Sequence, residues 1–135
     1  MYPLAAISKK QTCVSHSTPE AELVAMDAAL RTEGLPALDL WETILGRRVK
    51  LVFEEDNQAA LQVVTTGKNP NMRHMSRTHG VCLAWLHEQL AGNPEWVKAQ
   101  YCDTKKMAAD LMTKGFTDLA KWAHAISLVG LRNVK

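Results

Sequence analysis

Apolar residues recur along this chain with two different periods, and the two periods alternate. Residues 48–54 (RVKLVFE) and 96–102 (WVKAQYC) alternate apolar and polar side chains, which is typical of β-strands. Between and after them, apolar residues recur every three or four positions, which predicts amphipathic helices. The predicted helices are two that end at Gly34 and Gly46, and then residues 57–66, 77–90, 104–112 and 117–128.

The first predicted helix has a well-marked start. Ser17 can cap it, Pro19 suits the first turn, and Glu20 stands three residues after Ser17 as in a capping box. The apolar stripe of this helix is Leu23, Met26 and Leu30. Before it, residues 4–15 are predicted to be extended. Strands that alternate with helices in this order favour an α/β fold with parallel pairing and right-handed crossovers.

Composition narrows the class of protein without identifying it. A chain of 135 residues with 47% hydrophobic content predicts one globular domain. Its net charge of +2 does not by itself indicate a nucleic-acid partner. Three cysteines without paired spacing favour a reduced, intracellular setting, cytoplasmic or nuclear, over a disulfide framework. No apolar run approaches transmembrane length, so no membrane partner is expected.

The distribution of charge is more informative than its sum. No acidic residue occurs between Asp56 and Glu88. Within this stretch, the candidate contacts to nucleic acid are Lys68, Arg73, His74, Arg77 and His79. Two interpretations stay open, a solvated basic loop and a surface that contacts phosphates.

Three carboxylates occupy positions that suggest chemistry. Asp56 follows a predicted strand, and ligands of α/β sheets gather at the carboxyl ends of strands. Glu22 flanks the apolar stripe of the first helix, and Asp110 lies among apolar residues. Each one alone is explained as a surface or capping acid. Clustered together, they would stay ionised only beside a cation, and oxygen ligands favour Mg²⁺ or Mn²⁺.

Other candidate sites are disfavoured by spacing. Glu54 and Glu55, which precede Asp56, are interpreted as solvated neighbours of the strand end. The histidines and cysteines match no standard zinc pattern, and no acid is placed to orient a Cys–His nucleophile. The residues in question are His74, His79, Cys82, His87 and Cys102.

Four motifs occur in an order that is found in one enzyme family. They are SKKQTCVSHSTPEAELVAM, EEDNQAAL, NPNMRHMSRTHGVCLAWLHEQL and CDTKKMAADLMTKGF, and they lie within residues 7–116. In this order they resemble the ribonuclease H domain of copia-type retrotransposon polyproteins. The resemblance implies a ribonuclease H-like α/β fold, present as a single partial domain over residues 1–135 with its last helix at about 117–128.

The resemblance also implies a reaction and a set of residues. Glu22, Asp56 and Asp110 match the family's metal ligands, with Mg²⁺ or Mn²⁺ as the cofactor. The implied activity is two-metal hydrolysis of the RNA strand of an RNA–DNA hybrid, in which one ion activates water and the other stabilises the leaving oxygen. The implied partners are the hybrid and the upstream reverse transcriptase region of the same polyprotein.

The chain departs from the family pattern at its start. The family's first two strands, the first of which carries a further catalytic Asp, have no counterpart here, so we expect an incomplete sheet. Whether the chain is an active enzyme stays open. The alternatives are a non-catalytic remnant that binds nucleic acid or a partner through its basic face, and a plain α/β interaction domain. We expect residues 4–15 either to pair with strand 48–54 or to pack poorly. We expect Gly80 to weaken the start of the helix at 77–90.

Overall fold

Residues 4–130 of the chain are described by a computed structural model. They divide into two units, a larger one over Gln11–Tyr101 and a smaller one that comprises residues 4–10 and 102–130. Residues 1–3 and 131–135, which the predicted single domain included, lie outside the described residues. Each unit is described by itself.

The larger unit combines helices with a two-stranded parallel sheet. Its helices are α1 (Thr18–Ala29), α2 (Leu35–Leu45), α3 (Gln58–Thr66), α4 (Met75–Thr78) and α5 (Leu83–Ala91). Its strands are β1 (Leu51–Glu55) and β2 (Val97–Tyr101), which run parallel with Leu51 opposite Val97 and Glu55 opposite Tyr101. The predicted α/β class and the parallel pairing are therefore confirmed.

The core of the larger unit forms where α1 meets the helices that lie between the two strands in the sequence. The predicted stripe of Leu23, Met26 and Leu30 is confirmed, because all three side chains are buried. Their neighbours in the buried cluster come from α3, α5 and the residues around α4, and include Val64, Met75, Val81, Leu86 and Leu90. Each such side chain contributes roughly 1.5–3 kcal/mol relative to an exposed one. This core fixes the ends of the strands relative to α1.

The predicted helix end at Gly34 is wrong. The chain continues from α1 through a π-helical turn, Leu30–Gly34, directly into α2. Gly34 keeps a helical backbone with a φ of −62°. Its glycine character serves packing, because a Cβ there would lie 3.2 Å from side-chain atoms of both Leu30 and Leu51. The absence of a side chain therefore lets β1 approach the helix.

The single helix predicted over residues 77–90 is also wrong, because Gly80 divides it. Gly80 adopts a left-handed backbone with a φ of 70°. The chain leaves the helix there, the Val81 N–H donates to the carbonyl of Met75 at 3.3 Å, and the Val81 side chain enters the core. The expectation that Gly80 weakens this helix is confirmed.

The N-terminal segment does not form the predicted strand pair. Residues 4–15 contain no strand, and residues 4–10 are exposed at every position. This agrees with the second expected outcome, a segment that packs poorly. In the described part of the chain, β1 is hydrogen-bonded to β2 alone.

The smaller unit contains α6 (Asp110–Thr113) and α7 (Leu119–Leu128), which agrees with the predicted last helix. The helix predicted over residues 104–112 is wrong in extent, because Met107 adopts an extended backbone after a 3₁₀ turn over Thr104–Lys106. Asp103 caps this turn by accepting a hydrogen bond from the N–H of Lys105 at 2.9 Å.

Two glycines that end helices provide a matched test of packing in the larger unit. Gly46 and Gly67 both have left-handed backbones, with φ of 61° and 72°. An alanine Cβ at Gly46 would meet nothing within 4 Å, whereas at Gly67 it would lie 2.8 Å from Cγ of His87. His87 cannot move freely, because its Nδ1 donates to the carbonyl of Val64 at 2.8 Å.

We therefore expect Gly67→Ala to lower the free energy of unfolding by more than Gly46→Ala. Gly46→Ala carries only the left-handed strain of roughly 1–2 kcal/mol, and Gly67→Ala adds the clash with His87. Urea denaturation of the two variants and the parent measures both costs. Equal costs would show that His87 is not held against Gly67.

Candidate functional site

The carboxyl end of β1 carries two acids in different environments. Glu55 is the last residue of the strand and is buried, with 6% of its surface exposed. Its Oε1 accepts a hydrogen bond from the N–H of Asn57 at 2.9 Å. Asn57 in turn caps α3, because its Oδ1 accepts the N–H of Ala60 at 3.0 Å. The turn from strand to helix thus places Asp56 between a buried acid and a helix cap.

Electrostatics shows that a third carboxylate lies close by. Burial raises the pKa of Glu55, and the negative charges of Glu22 and Asp56 add to the rise, to about 7. The hydrogen bond from the N–H of Asn57 acts in the opposite direction without offsetting them. Glu22 on α1 and Asp56 after β1 therefore both lie near Glu55. These three carboxylates are named the strand-end acids below.

The interpretation of Glu54 and Glu55 as two solvated neighbours is right for Glu54 and wrong for Glu55. Glu54 is exposed, and its Oε1 accepts a hydrogen bond from Nε2 of Gln100 at 3.3 Å. Glu55 lies on the same face of β1 as Leu51 and Phe53, which pack against the core. Alternation along the strand was the signal that could have placed it there.

Asp110, the third predicted metal ligand, lies in the smaller unit at the start of α6. Its Oδ2 is 2.5 Å from Nζ of Lys114, one helical turn further along. The structure thus places Glu22 and Asp56 near Glu55 in one unit and gives Asp110 a cationic neighbour in the other.

The strand-end acids suit a metal ion by their chemistry. They are oxygen donors with a negative charge, which Mg²⁺ and Mn²⁺ prefer. Within residues 4–130, however, no three His, Cys, Asp or Glu side chains are already arranged to hold an ion. Glu22 and Asp56 are therefore candidate ligands whose side chains would have to rearrange around the ion.

A second acidic centre, which sequence reasoning missed, lies at the N-terminus of α1. Half of the predicted capping box is present, because Oγ of Ser17 accepts the N–H of Glu20 at 3.3 Å, whereas the Glu20 carboxylate accepts the N–H of His16 and not that of the N-cap Ser17. The Glu20 carboxylate is buried, and its Oε1 lies 2.8 Å from Nε2 of His79 and 3.2 Å from Nε2 of His74. Its Oε2 accepts the N–H of His16 at 3.2 Å. We name this cluster the Glu20 centre.

The Glu20 centre holds its carboxylate in the ionised form. Burial alone would raise the pKa of Glu20, but hydrogen bonds from His74, His79 and the His16 N–H lower it below its usual value. A carboxylate only accepts hydrogen bonds, so both imidazoles donate through Nε2. The side chain of His79 is only 2% exposed. The segment that carries the histidines is therefore tied to the start of α1.

The residues predicted to bind nucleic acid divide into two groups. Lys68, Arg73 and Arg77 are exposed and available to a ligand. His74 is partly exposed, and His79 faces inward to Glu20. We name residues 68–79 the basic segment. His79 therefore holds the basic segment from its buried side. No spacing rule could have found this pairing, since the partners are 54 and 59 residues apart in the sequence.

Comparisons with known protein families, curated proteins and solved structures find no match to this chain. No helix among residues 4–130 has the length and apolar character needed to cross a membrane.

Replacing Glu20 by Gln tests the Glu20 centre. We expect Glu20→Gln to lower the free energy of unfolding by about 1–3 kcal/mol at neutral pH, because the buried donor of His79 and the partly exposed donor of His74 lose a charged acceptor. The folded-state pKa of Glu20 is lowered, so its contribution is present above 4.5 and is lost as the pH falls through the folded value. Denaturation at several pH values measures the difference.

Glu95→Gln, at an exposed position, is the matched control for the loss of one negative charge. A Glu20→Gln cost equal to that of Glu95→Gln would contradict the role of this carboxylate.

The strand-end acids generate a pH dependence of opposite sign. The pKa of Glu55 is about 7 in the folded chain against an ordinary 4.5, so the folded state retains a proton that the unfolded chain releases. Stability from this group is therefore greatest below 4.5, falls as the pH rises, and is lowest above about 7.

We expect Glu55→Gln to raise the melting temperature at pH 8 by more than at pH 5, because the amide never ionises. Thermal denaturation of the variant and the parent at both pH values tests this. Glu54→Gln is the control, since Glu54 is exposed on the same strand. The same change in melting temperature for Glu55→Gln at both pH values would show that Glu55 ionises normally.

Proposed function

We propose that this chain is a ribonuclease H-like domain of the copia retrotransposon type, which hydrolyses the RNA strand of RNA–DNA hybrids with a divalent metal ion. One observation carries the proposal: Glu22 and Asp56 lie near Glu55 at the carboxyl end of a strand in a parallel pair. This is the edge at which α/β sheets bind their ligands.

The roles of the acids follow from their surroundings. Glu22 and Asp56 are the residues that would hold Mg²⁺ or Mn²⁺, with Asp110 as the further ligand that the family resemblance implies. When bound, such ions activate water and stabilise the leaving oxygen of a phosphodiester. Glu55 is buried near them. Because burial favours its protonated form, the local negative charge is lower than that of three ionised carboxylates.

The basic segment supplies the surface for the hybrid. Lys68, Arg73 and Arg77 are exposed on the same unit as Glu22 and Asp56. Contacts from Lys and Arg to phosphates release counterions, so binding through this segment weakens steeply as salt is raised. The proposal includes an intracellular setting, cytoplasmic or nuclear, and the upstream reverse transcriptase region of the polyprotein as a partner.

A second candidate function is binding of nucleic acid without hydrolysis. It is favoured by the ion pair between Asp110 and Lys114, because a carboxylate engaged by an ammonium group is less available to a metal ion. In this case the chain is a remnant that retains the basic segment of the family and has lost its chemistry.

Cleavage of a labelled RNA–DNA hybrid in Mn²⁺ tests the proposed reaction. We expect Asp56→Asn to reduce the rate by at least 100-fold, because it removes a charged ligand of the ion. Glu54→Gln, two residues earlier on the exposed face, is expected to leave the rate within about twofold of the parent. The same series is followed by thermal denaturation with and without Mn²⁺.

The outcomes separate the two candidates. Cleavage that Asp56→Asn abolishes, with stabilisation of the parent by Mn²⁺, supports the enzyme. Salt-sensitive binding of the hybrid without cleavage supports the second candidate. If the chain neither binds the hybrid nor is stabilised by Mn²⁺, both candidates are refuted.

A further inference from the structure

A cavity of about 320 Å³ opens in the larger unit beside the loop that links α3 to α4. We name it the loop cavity. Its polar lining includes Lys68, Asn69, Arg73 and Ser76, and its apolar lining includes Met72 and Leu83. The cavity belongs to neither the strand-end acids nor the Glu20 centre.

The lining of the loop cavity combines two kinds of surface. Lys68 and Arg73 contribute two positive charges, and none of the acidic side chains within residues 4–130 lines the cavity. Guanidinium and ammonium groups bind phosphate by charge-assisted hydrogen bonds, and Arg matches its geometry with two parallel bonds. Met72 and Leu83 offer an apolar wall to a flat ring. A suitable ligand therefore has an anionic end and an apolar, planar end.

The size of the cavity limits the ligand further. Sites for small molecules are clefts of roughly 300–1,000 Å³, so this one lies at the lower end of the range. It has room for one nucleotide and no room for a base pair within a duplex. The exposed cations at its rim would suit the phosphate, which keeps part of its hydration.

The backbone around the cavity is held in place without a ligand. Oδ1 of Asn69 accepts the N–H of Asn71 at 3.0 Å, and the N–H of Met72 donates to the carbonyl of Asn69 at 3.0 Å. At the far side, the turn at Gly80 and the Glu20 centre fix the segment that follows Arg73. A wall that is ordered beforehand lowers the entropic cost of binding.

We propose that the loop cavity binds a single nucleoside monophosphate unit, with its phosphate on Lys68 and Arg73 and its base against Met72 and Leu83. The inference rests on the proposed function for its class of ligand, nucleic acid, and adds a site for one unpaired nucleotide. The same chemistry has two sources, a free nucleotide and the phosphorylated end of a single strand.

Titration of the full chain with 5′-AMP, in EDTA and at low salt, tests the proposal by NMR and calorimetry. We expect AMP to bind at least fivefold more tightly than adenosine or inorganic phosphate alone, with shifts at residues 67–83. Lys68→Ala and Arg73→Ala should each weaken binding about tenfold, the scale of one charge-assisted hydrogen bond.

Two further variants make the result specific. Ser76→Asp places a negative charge in the cavity at an exposed position, so it should weaken AMP with little effect on folding. Lys98→Ala, which removes an exposed cation on β2 outside the cavity, should leave the affinity unchanged. An equal effect of Lys98→Ala and Lys68→Ala would overturn the site, since it would indicate attraction by net charge alone.

A short single strand, with and without a 5′ phosphate, distinguishes the sources. Tighter binding of the phosphorylated strand than of AMP identifies a strand end, and binding of AMP alone identifies a free nucleotide; both support the site. Equal binding of AMP and inorganic phosphate, or no shifts at residues 67–83, overturns it. Because EDTA removes divalent ions, AMP binding without hybrid cleavage would refute the proposed reaction and leave this site standing.

Discussion

The basic segment of the larger unit depends on how one buried carboxylate is satisfied. Glu20 accepts hydrogen bonds from two imidazoles and one backbone N–H, all outside its own helix. A buried charge is tolerated only when it is paired in this way. The hydrogen bonds that satisfy Glu20 also hold His74 and His79 in place. These two residues belong to the basic segment, which connects the wall of the loop cavity to the core. Folding and the placement of the exposed cations are thus linked through one side chain.

The second constraint is the burial of charge at the end of β1. The chain leaves β1 at its carboxyl end and enters α3 a few residues later. Glu55 and Asp56 lie at this end of the strand. Packing puts Glu55 inside, and the cap of α3 by Asn57 directs the turn. The resulting crowding of negative charge is unfavourable without a proton or a cation. Such crowding is common at functional sites, where unfavourable local electrostatics serves binding.

Local periodicity predicted the parts of the fold that depend on local interactions. The strands, the helix after β1 and the stripe of Leu23, Met26 and Leu30 follow from spacing within one segment. Local periodicity does not determine the roles of Gly34 and Gly80. Gly34 and Gly80 both lack a side chain, yet one packs within a continuous helix and the other adopts a left-handed backbone between two helices. At Gly34 the decisive contact is with Leu51, a residue distant in the sequence that no single segment contains.

The candidate site shows the same division. Asp56 was predicted as a ligand because strand ends are recognisable from sequence, and the burial of Glu55 could have been predicted from alternation along β1. The Glu20 centre could not, because its histidines come from a segment with no regular spacing. The α/β class follows from the alternation of strands and helices, whereas the ribonuclease H-like proposal combines the four motifs with the placement of Glu22 and Asp56 near Glu55.

The π-helical turn between α1 and α2 has a consequence for the evolution of this chain. Each residue of an α-helix turns the direction of its successors by about 100°, so a wider turn changes the phase of all that follows. The stripe of α1 faces the core, while α2 presents Leu40, Ile44 and Leu45 to solvent. Deleting one residue from Leu30–Gly34 would rotate that apolar surface as a block. Deletion of a single codon could therefore change the direction in which the apolar side of α2 faces without altering the composition of α2.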